Sequence, residues 1–145
     1  MRKILLLLFL VSACGYQPLY TQKEEILFNK ITLLGNKKIN RKIISSTAIR
    51  VDQNNTLNRE IILDSKKNIT TTSRDAKGQP ATFKSQIIVS LVIKTDDKII
   101  KEKVFNETFD YNNITNKYDL SVYQTDIENN LINRIVEDLI IFINI

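Results

Sequence analysis

Apolar residues along this chain follow three patterns: one unbroken run, alternation at every second position, and recurrence every three or four positions. The run is Ile4 to Val11. Alternation is clearest where Phe83, Ile87, Val89, Leu91 and Ile93 share one face with Ser85, while Lys84, Gln86, Ser90 and Lys94 take the other. That period of two predicts a half-buried strand. Thr95-Asp96-Asp97-Lys98 then reads as a tight turn, and Ile99 to Tyr111 as the returning antiparallel strand, with Phe105, Phe109 and Tyr111 on one side and Ile100, Val104 and Thr108 on the other. The helical period is clearest near the end, in Leu120, Tyr123, Ile127, Leu131, Ile135, Leu139 and Phe142, widened by Ile132, Val136, Ile140 and Ile143. Gln124, Glu128, Asn129, Asn133, Glu137 and Asp138 are expected on the opposite, solvated side. That stripe predicts a core helix packed on a sheet.

Three further elements precede the hairpin. Ile26 to Leu34 is β-branched and apolar, closed by Gly35-Asn36, and reads as a first strand. Ile39, Ile43, Thr47, Ala48 and Val51 recur at helical spacing, with Asn36 or Asn40 placed to cap the start. Leu57 to Arg74 reads as a long strand with an irregular middle at 65–68, ended by turn chemistry in Arg74-Asp75-Ala76-Lys77-Gly78-Gln79-Pro80. The order β-α-β-β-β-α predicts an α+β, two-layer sandwich, with two helices on one face of a four-stranded, mostly antiparallel sheet. The first β-α-β unit allows its two strands to be parallel, which would make the sheet mixed.

The opening run has a different meaning. Arg2 and Lys3 stand before eight apolar residues, far short of the roughly 20 needed to cross a bilayer as a helix, so the layout is that of an export signal. Val11-Ser12-Ala13-Cys14 resembles the bacterial lipobox. The resemblance implies cleavage before Cys14, lipid on its thiol and a further acyl chain on the new amino group, and multiple acylation makes membrane attachment durable. Residues 1–13 are then a lipoprotein signal peptide, 14–25 a lipidated tether and 26–145 a single sandwich domain. Cys14 is the only cysteine, so no disulfide forms within one chain.

Charge and composition remove several classes of function. The whole chain carries +5; without Arg2 and Lys3, 19 basic residues face 16 acidic ones, and that mild excess is not a nucleic-acid signature. Histidine is absent, which removes the commonest general base, and no glycine-rich phosphate loop is present. Glu24-Glu25 and Asp96-Asp97 are better explained as a solvated tether and a hairpin turn than as metal ligands. No cofactor, metal or catalytic residue is expected, and an envelope-tethered enzyme is the least supported class.

Cys14-Gly15-Tyr16-Gln17-Pro18-Leu19-Tyr20 is similar to the mature start of the LptE family, the lipopolysaccharide-assembly lipoproteins of the Gram-negative outer membrane. The turn at Ser73 to Gly78, the stretch Phe109-Asp110-Tyr111-Asn112 after the hairpin, and the acidic-then-apolar ending from Asp126-Ile127-Glu128 through Ile143 resemble the family in layout. The resemblance implies a non-enzymatic plug inside LptD, a large outer-membrane β-barrel. It also implies that the chain helps that barrel assemble and binds lipopolysaccharide during insertion into the outer leaflet. Lipopolysaccharide phosphates need positive donors, for which Arg74, Lys77 and Lys84 are the candidates. Thr70, Thr71, Thr72 and Ser73 suit either a polar barrel lumen or a plain strand end. Gly15, in place of the Asp that marks inner-membrane retention, favours the outer membrane. The competing reading is an accessory lipoprotein of an inner-membrane lipid transporter.

Overall fold

Backbone pairing in the computed structural model assigns eight elements over the described residues, 25–54 and 56–144. They are β1 (Ile26–Phe28), β2 (Lys30–Gly35), α1 (Lys37–Ser46), β3 (Ile49–Val51), β4 (Arg59–Arg74), β5 (Pro80–Thr95), β6 (Lys98–Asn112) and α2 (Lys117–Asn144). The main sheet has the order β2-β4-β5-β6; β2 runs parallel to β4, and the other two pairings are antiparallel. Both helices pack on one face of this mixed sheet, α1 over β2 and β4 and α2 over β5 and β6. The α+β class and the two-helix layer are therefore as the pattern predicts, and the first pair of the main sheet is parallel, as the β-α-β unit allows. The expected export signal, Cys14 and the expected tether up to Glu24 lie outside the described residues.

Two boundaries differ from the sequence reading. The first strand is two strands, because at Asn29 the chain changes partner. Before it, Ile26 to Phe28 pair with Ile49 to Val51; after it, Lys30 to Gly35 pair with Glu60 to Ser65. Asn29 holds the switch by donating its N–H to Arg59 O at 2.7 Å and accepting the Arg59 N–H on Oδ1 at 2.7 Å. The first helix ends at Ser46, well before Val51. Thr47 takes an extended conformation and closes the last turn onto Ile43 O and Ile44 O. Ile49, a β-branched residue off the helical stripe, is fully buried as the start of β3.

The long strand is also more regular than expected. Residues 65–68 keep unbroken register with β5, and the irregularity falls at Thr71 to Arg74 instead. There the strand has passed beyond the helix layer: Asn68 to Arg74 are all exposed. The turn between β5 and β6 is built on Asp96 and Asp97, both left-handed with φ 49° and 64°, as a two-residue hairpin turn requires.

Gly35 sets the entry to α1. Its φ of +67° is left-handed, and a Cβ there would sit 2.3 Å from Ser65 O. Asn36 then caps the helix, its Oδ1 accepting from the N–H groups of Lys38 (3.1 Å) and Ile39 (3.2 Å). Asn40, the other cap candidate, is instead a fully buried tie whose Nδ2 donates to Leu34 O at 2.5 Å and to Leu63 O at 3.4 Å.

The core lies between the layers. From the sheet come Ile61, Leu63, Ile87, Val89, Leu91 and Ile93; from the helices Ile39, Ile43, Leu131, Ile132, Ile135 and Leu139. Each such aliphatic side chain contributes about 2 kcal/mol by leaving water. Among the described residues no helix covers the other face of the sheet, and Leu34 and Val104 are 48% and 63% exposed on it.

Candidate functional site

Three places bring polar chemistry together. The first is a charge cluster between the helices and β4, centred on Glu128. The helical period puts Glu128 on the outer side of α2, but it is buried, at 5% exposure, because that side faces α1 and β4. Lys67 Nζ donates to Glu128 Oε2 at 2.5 Å, Lys38 Nζ lies 3.6 Å from Oε1, and Lys42 donates to the neighbouring Asn129. Burial pushes the Glu128 carboxyl upward, yet the Lys67 hydrogen bond and the charges of Lys67, Lys38 and Lys42 together outweigh it and hold it below the ordinary carboxylate range. Three ammonium groups converge on one carboxylate, so the cluster remains positive overall. Lys67 and Glu128 are 61 positions apart, and no local spacing signals their meeting.

The second place is the β4–β5 hairpin tip, where two of the three predicted cations lie. Asp75 organises the turn: its Oδ1 accepts the N–H groups of Lys77 (2.9 Å) and Gln79 (2.8 Å), and Gly78 takes φ +79°. Arg74 Nη1 donates to Gly78 O at 2.8 Å, which lays its guanidinium across the turn that carries Lys77. Both cations are exposed. Lys84 is not on the tip; it sits within β5 opposite Thr70, and its Nζ lies 3.8 Å from Asp110 Oδ1 on β6. Thr72 and Ser73 bond across the hairpin to the Thr82 hydroxyl, at 2.6 and 2.7 Å.

The third is a cleft of about 530 Å³ between α2 and β6, lined by Phe109, Tyr123, Ile127, Leu131, Asn130 and Glu137. Arg134 Nη1 crosses the same gap to within 3.8 Å of Glu107 Oε2. Above it, Tyr111 packs edge-on to Tyr123 at 5.8 Å and accepts the Gln124 amide at 2.9 Å. No group of three or more potential metal ligands occurs among the described residues.

Comparison with solved structures places this arrangement. The chain aligns with the solution structure of a lipoprotein B from Nitrosomonas europaea over 87% of its own length and 88% of that chain, with a TM-score of 0.58 at 13% identity. The chain has the lipoprotein B fold. The crystal structure of the rare lipoprotein B of Shewanella oneidensis matches 77% of this chain and 93% of its own with a TM-score of 0.55 at 12% identity. A minor lipoprotein of Acinetobacter baumannii gives 0.52 at 8% identity, covering 81% of this chain and 90% of its own. The LptE-like fold implied by the sequence resemblance is thus the fold observed. No protein-family model and no curated protein matches the sequence. The fold is kept while most side chains differ.

Proposed function

We propose that this chain is a lipid-anchored outer-membrane protein that occupies and helps assemble a large LptD-like β-barrel, without enzymatic activity of its own, and binds lipopolysaccharide as it passes to the outer leaflet. The observation that carries the reading is the lipoprotein B fold, shared over 87% of the chain, in a sequence whose Cys14-Gly15-Tyr16 start follows an export signal. Lipid on Cys14 supplies the anchor. The polar hairpin suits a plug, because a barrel lumen is lined by polar side chains. Arg74 and Lys77, held together at the exposed hairpin tip, are the favoured phosphate donors; Arg74 grips phosphate bidentately and Lys77 adds a point charge. Lys84 contributes less, since it stands off the tip with its ammonium 3.8 Å from the Asp110 carboxylate.

The test is affinity purification of the full acylated chain from detergent-solubilised outer membrane, with mass spectrometry of what accompanies it. A stoichiometric large β-barrel is the expected result. Recovery of an inner-membrane lipid transporter would overturn the plug and favour the accessory-subunit reading.

A further inference from the structure

The two outer strands of the sheet are unequal. β2 is six residues long, whereas β6 runs for fifteen and pairs among the described residues only with β5. A long unpaired edge offers a row of backbone donors and acceptors to any second strand. Such edges are ordinarily blunted by lysines reaching over them or by bulges. Here the register shift lies near the turn, opposite Ile93 and Lys94, leaving the middle of β6 straight. The lysines also turn inward. Lys101 Nζ lies 3.5 and 3.4 Å from the carbonyl oxygens of Phe142 and Ile143 at the end of α2. Lys103 Nζ sits 4.8 Å from the Phe105 ring centre and 5.4 Å from that of Phe142. Just beyond them Val104 is left 63% exposed.

We propose that β6 is a self-association edge, along which two copies of this chain pair antiparallel about a two-fold axis at Val104 and join their sheets into one. Charge order along the strand selects this partner. Lys98, Lys101 and Lys103 occupy its first half, with Glu102 among them, and Glu107 and Asp110 its second. In-register parallel pairing sets lysine on lysine. The antiparallel two-fold at Val104 instead sets Lys101 opposite Glu107 twice, on the helix side of the sheet, where these residues already pair with Ile93 and Ile87 of β5 and where, within one copy, Lys101 reaches the carbonyl end of α2 and Glu107 reaches Arg134. Glu102 then faces the uncharged Asn106, and the two Val104 side chains cover one another on the open face. This pairing does not rest on the barrel reading.

Disulfide trapping of the full-length chain in the cell envelope tests it. Val104→Cys is expected to give a homodimer on mild oxidation, measured above the parent chain, whose single cysteine is Cys14. Glu102→Cys and Asn106→Cys are expected to cross-link when co-expressed and not singly. Lys101→Glu should lower the Val104→Cys dimer yield about fivefold, from two cross-strand charge pairs, and adding Glu107→Lys should restore it. Absence of a Val104→Cys dimer, equal cross-linking at all three positions, or cross-linking of β6 to a different protein would each overturn the proposal.

Discussion

Lys67 and Glu128, on the second strand of the main sheet and the last helix, form an ion pair at 2.5 Å that ties the two layers together from inside the protein. The side chain of Glu128 is 7% exposed and that of Lys67 24%, so solvent screens the contact only in part. Lys38 and Lys42 on the first helix complete the arrangement, which is why the three elements meet at one carboxylate.

Removing that carboxylate strands the lysines. Glu128→Gln is expected to cost about 2 kcal/mol at neutral pH, less than a fully buried pair because Lys38 and Lys42 regain water. Urea unfolding of the two proteins measures it.

The same residue gives acid sensitivity. The folded carboxyl titrates below its unfolded value, so the unfolded chain binds the proton more readily. The stabilisation is complete above about pH 5 and is lost as pH falls through the folded value, below the ordinary glutamate value of about 4.3. Thermal melts between pH 7 and pH 3 should show a steeper acid loss for the native protein than for Glu128→Gln. An identical slope would refute the assignment.

Gly35→Ala is expected to destabilise by about 2 kcal/mol or more, because the new Cβ meets the Ser65 backbone oxygen at 2.3 Å under a left-handed φ. Gly78→Ala, with open space around it, carries only the φ penalty and should cost about 1 kcal/mol. Paired chemical melts separate the two.

Asn36→Ala removes a cap and is expected to cost about 1 kcal/mol, chiefly by fraying the first helix. Asn40→Ala removes the donor to the carbonyls of Leu34 and Leu63 inside the core, and should cost about 2 kcal/mol. Hydrogen exchange distinguishes them: the first exposes helix amides locally, the second loosens the helix from the sheet.

Arg74→Ala combined with Lys77→Ala should leave stability within about 0.5 kcal/mol, since both side chains are solvated. Lipopolysaccharide affinity is expected to fall about tenfold or more, because each charge-assisted contact contributes about 1.5 kcal/mol or more. Unchanged affinity in a direct binding assay would remove the hairpin tip from the proposed site.

The sequence by itself determined the periodic elements. Alternation in β5 and the stripe of α2 are dictated by neighbours two, three or four positions away, and the buried Ile87, Val89, Leu91 and Ile93 and Leu131, Ile135 and Leu139 fall where those periods put them. The two-residue Asp96-Asp97 turn and the Asp75 turn are equally local, since their bonds span four positions or fewer. Tertiary structure decided the rest. Asn29 breaks a strand because Arg59, 30 positions away, takes over its pairing, and the first helix stops short of Val51 because Ile26 to Phe28 offer Ile49 to Val51 a parallel partner. Glu128 is buried although its place on the helix looks polar, because burial depends on what lies opposite, and only folding brings Lys67 and the first helix there.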